Sequence, residues 1–574
     1  MIYKQNTING RIAFLFIFLF IVLSSNKAQT IGTSPVKIPV LLSANFGELR
    51  NNHFHSGIDI KIQGKVGLPL YSFDDGYISR IFVSPSGYGN ALYIVHPETG
   101  YTTVYGHMED FFDEAKKYVE NYQYQHGIFV ADLHLSKNEI PIKKGQFIGR
   151  GGNTGSSSGP HLHFEIRDTK TEEALNPLPF FLSHLTDTRA PQIQEIMVIP
   201  MDKKGVVNET SQKKAFSLIV DKKTGRKELN KMITAWGEIG LAVKSYDYMN
   251  NVSNIFGIYI VSLKVDGKTI FESKMDKFSF DETRYLNSFV DYESWRRHNS
   301  FFMKSFVEPG NKLRLYYNLE NNGIITINEE REYNVAYTLS DYFGNTTIFN
   351  FSIQGQKQDI PESNEPNTLK MSYNKDGKYV FDCVELFIPK GNLYTDIYFK
   401  YGIRNSMEFL SPIYTLHDYN KDPLHSYCPL KIKVAESEMK DISKYFIARI
   451  NANNRKIYYK SEYKNGWFET KIRDFGDYAV ASDFNPPVIT PIQALKWGTT
   501  GIINCKISDK DSGINTYRAE IDDQFYLLSY DAKNSLLSAK LDANRVEKGT
   551  KHTFRLIVTD NCNNKSEYTT TFTW

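Results

Sequence analysis

Cysteine is scarce in this chain: four in 574 residues, at positions 383, 428, 505 and 562. No two stand in a CxxC spacing, which excludes a cysteine zinc site and a thioredoxin-type redox motif. An excess of charge of one sign is also missing. The 68 basic residues face 65 acidic ones, for a formal charge of +3, so nothing argues for nucleic acid or an anionic surface as the main partner. No HExxH occurs, which excludes the helix-borne zinc proteases, and low-complexity tracts are absent. The Gly/Ser-rich run 149–159 lacks the GK[ST] ending of a phosphate-binding loop and feeds a strand, not a helix. Only one long apolar run exists, the 12 residues Ile12–Leu23, and a bilayer span needs about 20.

That run follows Lys4 and Arg11 and precedes a small-residue site near Ala28. This is the layout of a secretory signal over residues 1–28, and it implies an exported chain working in the periplasm, the cell envelope or the medium. Contact with membrane is then confined to the signal segment. Exported cysteines can pair; Cys383–Cys428 and Cys505–Cys562 are the expected disulfides, because each stays within one predicted domain.

Tyr (37) and Phe (38) are abundant, which favours strands, and the length calls for several cores. The expected fold class is mainly β. Residues 36–186 carry short strands punctuated by Gly, Pro and Asn turns, with one helical exception at Asp110–Tyr124, where Phe111, Phe112, Ala115, Tyr118, Val119 and Tyr122 share a face. Asp187–Ile193 and Asp483–Ile489 share a spacing and each leads into a strand. The layout of Tyr333–Leu339, Asp341, Gly344-Asn345 and Thr346–Ile353 returns at Thr553–Val558, Asp560, Asn563-Asn564 and Ser566–Phe572. Two related β-sandwiches follow, 187–355 and 486–574, which resemble immunoglobulin-like accessory modules of envelope proteins. A third sandwich is expected at 367–483, behind the polar linker Gln356–Pro366.

Thirteen histidines are present, and eight of them lie between His53 and His163. His161-Leu162-His163 sits in a strand pattern, so both imidazoles share one face, about 6–7 Å apart along the strand. His55-Ser-Gly-Ile-Asp59 sets a His and an Asp at the mouth of another strand. His55, Asp59 and His163 would give zinc two imidazoles and a carboxylate and leave one coordination position open. His161 would stand beside that position, and His107, ending the strand Tyr101–His107, can approach from the other side. Glu165 shares the face of His161 and His163; it either orients a ligand or pairs with a surface lysine. His53 falls outside the HxxxD register, and His96, His126 and His134 are expected at the surface or in an insertion.

The ordered set HxxxD (His55, Asp59), Tyr105-Gly106-His107, Gly145-Gln-Phe-Ile-Gly149 and Thr154-Gly-x-Ser-x-Gly-Pro-His-Leu-His-Phe-Glu165 resembles the M23 zinc metallopeptidases, the lysostaphin and LytM-like endopeptidases. Gly87-Tyr88-Gly89-Asn90 matches that family's turns as well. The resemblance spans about residues 40–170. It implies an antiparallel β-fold with a groove across the sheet, one Zn2+ on His55, Asp59 and His163, and His107 and His161 as catalytic residues. It also implies peptidoglycan stem peptides and crossbridges as substrate, with envelope partners reached through the sandwiches. The rival expectation is a non-catalytic relative that binds peptidoglycan or activates another wall hydrolase. The family's connection between His107 and Gly145 is short. Here Met108–Lys144 is longer, and it is expected to be either a surface insertion or a lid over the groove.

Overall fold

Alternating side chains decide the two faces of the N-terminal sheet. In the strand His161–Asp168, Leu162, Phe164 and Ile166 are fully buried on one face, while His161, His163, Glu165 and Arg167 occupy the other. The strand Ile58–Lys61 follows the same rule, with Ile58 and Ile60 in the core and Asp59 and Lys61 opposite. Burying each such apolar side chain stabilises the fold by about 1.5–3 kcal/mol, and a one-residue slip would turn every one of them outward. The hydrophobic pattern therefore fixes the register that sets the polar face.

The computed structural model describes residues 32–220, 222, 225, 227–361 and 368–574. The secretory segment expected at 1–28 lies outside these residues, as does most of the 362–367 end of the polar linker. Strands of the first sheet run in the order Leu42–Ala44, Ile58–Lys61, His161–Asp168, Tyr101–Phe111, Asn90–His96, Gly76–Val83 and Pro141–Ile142, all antiparallel. The helix occupies Asp113–His126, three residues later than its pattern suggested. The strand ahead of it keeps pairing to the end, Asp110 with Arg150 and Phe111 with Gly149. Gly127, at φ 65°, closes the helix in the left-handed conformation that glycine adopts without strain.

The rest of the chain is also mainly β. A 12-stranded sheet occupies the region from Gln192 to Gly355. Its core takes in Phe46, Phe54 and Ala174 from the N-terminal region, and Ala174 pairs with Phe278 across the junction. Residues 368–482 form six- and five-stranded sheets around a core of their own. The last region packs two four-stranded sheets around Trp497, Phe554 and their neighbours. No described helix is long and apolar enough to cross a membrane.

The expected disulfides do not form, and all four cysteines are free thiols. Val384 pairs with Ile432, which sets Cys383 beside Lys433. Cys428 is five residues farther along that strand, roughly 16 Å away, whereas bridged Cα atoms lie within about 7 Å. Cys505 and Cys562 sit in different core clusters. His96 is a second correction. It is buried, with Nδ1 on the Asp75 carbonyl and Nε2 on the Thr103 hydroxyl, so it is a satisfied core residue, not a surface one.

Candidate metal centre

Register brings the first two partners together. His163 is the direct cross-strand neighbour of Asp59 on one side and of Gly106 on the other. A Cβ at Gly106 would come within 3.3 Å of the His163 Cβ and 3.2 Å of the Tyr88 ring, so any larger residue would crowd the imidazole. His55 arrives from a loop folded back on itself: its N–H donates to the Glu48 carbonyl, and its own carbonyl accepts from Gly47.

His55 Nε2, His163 Nδ1 and Asp59 Oδ1 lie 3.0 Å from one another in all three pairs. The outer ring nitrogens assign the tautomers. His55 Nδ1 is 2.7 Å from the Asn45 carbonyl and donates to it. His163 Nε2 is 2.8 Å from Glu165 Oε1 and donates there. Two imidazole lone pairs and a carboxylate oxygen are thereby aimed at one point in a buried site. A tetrahedral zinc with donors at 2.0–2.1 Å holds them about 3.3 Å apart, so the residues present fit that ion. Burial pushes His55 down to about 4, which keeps it neutral. Burial opposes the charge on Asp59, yet the three surrounding imidazoles hold its carboxyl well below the usual range. Burial also disfavours a charged His163, but Asp59 and Glu165 outweigh it and lift that residue to about 9, so this position attracts a cation.

His161 and His107 flank the triangle. His161 Nε2 is 3.5 Å from Asp59 Oδ1, and its Nδ1 is held by the Gly159 carbonyl at 2.8 Å. His107 Nδ1 is held by the Thr154 carbonyl at 2.9 Å. The two rings lie 4.8 Å apart between centroids. His107 has φ 58° and sits in a bulge, where Asn90 pairs with Met108 but Leu92 pairs with Tyr105. Bulges re-aim side chains, and strained backbone of this kind concentrates at functional sites. Burial, with His163 and His161 beside it, lowers His107 to about 3, so this imidazole is neutral.

Glu165 is fully buried and is no partner of a surface lysine. It accepts from Ser56 Oγ at 2.5 Å, Tyr88 OH at 2.6 Å, His163 Nε2 at 2.8 Å and Arg167 Nε at 2.7 Å. Burial works against its charge, but Arg167, His163 and Ser56 keep it ionised, well below the usual carboxylate range. Arg50, Tyr88 and Ser56 were not singled out by spacing. Arg50 Nη2 donates to Asp59 Oδ2 at 2.8 Å and so ties off the oxygen that faces away from the triangle. Only the placement of Ser56 inside the HxxxD stretch and Tyr88 inside the Gly87–Asn90 turn could have flagged the other two. The Gly87–Asn90 and Thr154–Ser156 turns pack backbone to backbone: Asn90 N donates to Thr154 Oγ1 and Ser156 N to the Gly87 carbonyl, each at 2.9 Å.

These groups open onto a groove of about 810 Å3 bordered by Arg50, Asp59, Lys61, His107 and His161, with Ser156–Pro160 as one wall. His53 is exposed and held by the Asn51 carbonyl, apart from the cluster. None of the helix residues lines the groove. Ala115 and Val119 pack on the core, while the Tyr124 ring meets Phe525 and Arg545 of the C-terminal region. The helix is thus a bracket between regions and not a cover.

Comparisons with known proteins reach part of this site: the matched segment holds His161, His163 and Glu165 but not His55, Asp59 or His107. The family described as Peptidase family M23 matches residues 121–177, and a Zu5-like domain matches residues 368–483. The chain is 30% identical over 128 residues to an uncharacterized metalloprotease of Haemophilus influenzae, covering 22% of this chain and 20% of that protein. It is 33% identical over 118 residues to the peptidoglycan DD-endopeptidase ShyA of Vibrio cholerae, covering 20% of each. The chain spans about a fifth of the length of the curated relatives it matches. Among solved structures, the catalytic domain of lysostaphin from Staphylococcus simulans aligns at 22% identity with a TM-score of 0.19, over 25% of this chain and 92% of that one.

Proposed function

We propose that this chain, whose N-terminal region belongs to peptidase family M23, is a zinc-dependent endopeptidase that hydrolyses peptide crosslinks of peptidoglycan. The observation that carries the reading is the triangle of His55, Asp59 and His163, two ring nitrogens and a carboxylate oxygen on 3.0 Å edges facing one point, where an ion would displace the proton that His163 otherwise holds. Zinc held there supplies a Lewis acid and lowers the pKa of a water from 15.7 toward about 7.

The chain's own residues supply the rest. His107 and His161 each have Nδ1 committed to a backbone carbonyl, which leaves Nε2 for the groove, that of His161 3.5 Å from Asp59 Oδ1. Imidazoles so placed can take a proton from the attacking water and hydrogen-bond the oxygen that gains charge. The carbonyls of Thr154 and Gly159 fix those rings in one tautomer. Glu165 and Asn45 orient the two ligating imidazoles. Lys61 and Arg50 offer cations at the groove edge to the carboxylates that stem peptides carry.

The 1–28 secretory segment and the wall-degrading names among the relatives support an exported chain that works in the envelope. We assign the strand-rich regions ending near 355 and 574 as immunoglobulin-like sandwich modules and the one ending near 483, matched by a Zu5-like domain, as a third β module, all of them holding wall or partner proteins. The test is mass spectrometry of muropeptides after digestion with the full chain, with and without chelator. Cleavage should need metal, His161→Ala should keep zinc and lose turnover, and His163→Ala should lose both. Intact muropeptides with a zinc-loaded chain that still binds sacculi would sink the enzyme reading and leave a binding module.

A further inference from the structure

Away from the groove, three carboxylates meet at the first junction of the chain. Asp187, Asp247 and Asp341 each offer one oxygen, and these oxygens lie within 4.8 Å of one another. They come from three segments: the stretch leading into the strand Gln192–Val207, the end of the strand Ile233–Tyr248, and the turn between Glu332–Ser340 and Thr346–Gly355. All three side chains are more than nine-tenths buried, at 8%, 3% and 4% exposed. Asp187 Oδ2 and Asp247 Oδ1 are buried with no hydrogen-bond partner at all.

No ion pair among the described residues reaches the triad. Arg189 acts on Asp247 only through space, with Nη1 on the Met249 carbonyl and its guanidinium over the Tyr248 ring at 4.9 Å. Burial above all, with the facing carboxylates adding to it, pushes Asp187 up to about 6 and Asp247 up to about 8. Buried charges are retained when they are paired or coordinate a metal, and nothing in the chain pairs with these.

The frame around the triad is built twice. Asn345 N donates to Asp341 Oδ1 at 2.9 Å, and its Nδ2 donates to Asp341 Oδ2 and to the Asp187 carbonyl. At the last junction Asn564 N donates to Asp560 Oδ1 at 2.8 Å, and its Nδ2 donates to Asp560 Oδ2 and to the Asp483 carbonyl. Asp509 completes that second triad. The copies differ in their open valences. In the second, Asp483 accepts N–H groups from Asn485 and Ser512, and Asp509 Oδ1 accepts from Asp511, Ser512 and Gly513. Backbone dipoles compensate that copy, while the first keeps two bare oxygens.

We propose that Asp187, Asp247 and Asp341 hold a divalent cation of the calcium class, which fastens the stretch leaving the N-terminal domain to two turns of the sheet that follows. The donors are all hard oxygens, with no nitrogen or sulfur to attract zinc. Calcium takes oxygens at 2.3–2.6 Å, so two donors across such an ion are about 5 Å apart at most, and the 4.8 Å limit meets that condition. Asp187 is the only ligand on the connecting stretch; the ion would hold the joint by that residue.

The test uses the full chain, stripped of metals, reloaded with one equivalent of zinc, and titrated with calcium chloride by calorimetry and thermal unfolding. A saturable site and a rise in melting temperature are expected. Asp247→Asn should remove one calcium equivalent and most of that rise. Because burial keeps Asp247 largely protonated when no cation is bound, the neutral amide is close to its cation-free form, and the variant should melt no lower than the wild type without calcium, which separates lost binding from a lost fold. An absence of saturable binding up to about 10 mM calcium, above the weakest range usual for extracellular sites, overturns the proposal. So does calcium binding that Asp247→Asn leaves unchanged.

Discussion

Replacing Glu165 by glutamine tests how the candidate zinc site is held. Four donors converge on this carboxylate: His163 Nε2, Ser56 Oγ, Tyr88 OH and the Arg167 guanidinium. An amide has one acceptor oxygen, and its NH2 would face donors. Two costs follow, and they can be measured apart. Arg167, 6% exposed, would be left buried without its counter-charge, a loss of about 3–5 kcal/mol in stability. His163 would lose the acceptor that fixes its tautomer, which weakens metal binding roughly 10- to 100-fold, or about 1.4–2.8 kcal/mol. The double variant Glu165→Gln, Arg167→Met removes the orphaned charge and keeps an apolar stem against the Phe280 and Tyr93 rings that Arg167 now covers. It should recover most of the stability and none of the zinc affinity. Competition against a chelating dye gives the affinity, and thermal unfolding gives the stability. If Glu165→Gln binds zinc as tightly as the wild type, the assignment of Glu165 as the orienting acceptor is wrong, whatever happens to the melting temperature.

Two further perturbations probe the contacts between regions. His425 stacks on Tyr285 at 4.2 Å, and burial first, then Arg284 and Arg473, pushes it down to about 4. The unfolded imidazole binds its proton near 6.5, so stability is present above that value and falls as pH drops toward 4, by about 1–2 kcal/mol after discounting for partial exposure; His425→Phe should lose less than the wild type between pH 7.5 and 4.5 in thermal unfolding, and an equal loss refutes the assignment. Lys533 donates to the carbonyls of Asn153 and Ser157, in the loop that also holds His107 and His161; Lys533→Ala should cost roughly 5- to 30-fold in kcat/KM, from about 1–2 kcal/mol of lost loop positioning, with zinc content unchanged, and an unaltered rate would show that the loop holds itself.

Which side chains share a face was legible from short-range rules, while the meeting of His55 and Asp59 with His163, 108 and 104 residues away, was legible through the resemblance to the M23 pattern. Two residues apart on a strand means one face, and an HxxxD stretch ending in Ile58-Asp-Ile60 puts the carboxylate opposite the isoleucines. What escaped is what long-range folding alone supplies. Arg50 reaches Asp59 only because the loop 45–50 turns back to meet His55, and no local spacing encodes that turn. His96 was taken for a surface residue since a polar ring ending a strand usually is one; the Asp75 carbonyl and Thr103 hydroxyl that satisfy it are 21 and 7 residues away. The disulfide pairs failed for a related reason. Sharing a predicted domain says nothing about distance along a ladder, and the pairing of Val384 with Ile432 separates Cys383 from Cys428. The helix was found but started late, because strand pairing at Asp110 and Phe111 overrode a helical periodicity that continued through them.

The groove cluster and the aspartate triad share one device and differ in what it would select. In each, the outward atoms of the ligands are tied off by fixed groups. Asn45 and Glu165 take the far nitrogens of His55 and His163, and Arg50 takes the far oxygen of Asp59. Asn345 takes Asp341, and the Arg189 N–H takes Asp187 Oδ1. What faces inward is two ring nitrogens and an oxygen in one cluster and carboxylate oxygens in the other, the sets that a cation would take. Size and softness then sort the ions. Two imidazoles and one oxygen on 3.0 Å edges suit an ion with bonds near 2.0–2.1 Å that accepts nitrogen. Three carboxylate oxygens with no nitrogen among them suit a harder ion with oxygen bonds of 2.3–2.6 Å. A calcium-class ion gains little from imidazole nitrogen, and zinc gains little from a wide ring of oxygens. The chain can therefore meet both cations in one compartment and keep the one that would serve hydrolysis apart from the one that would brace the joint beside it.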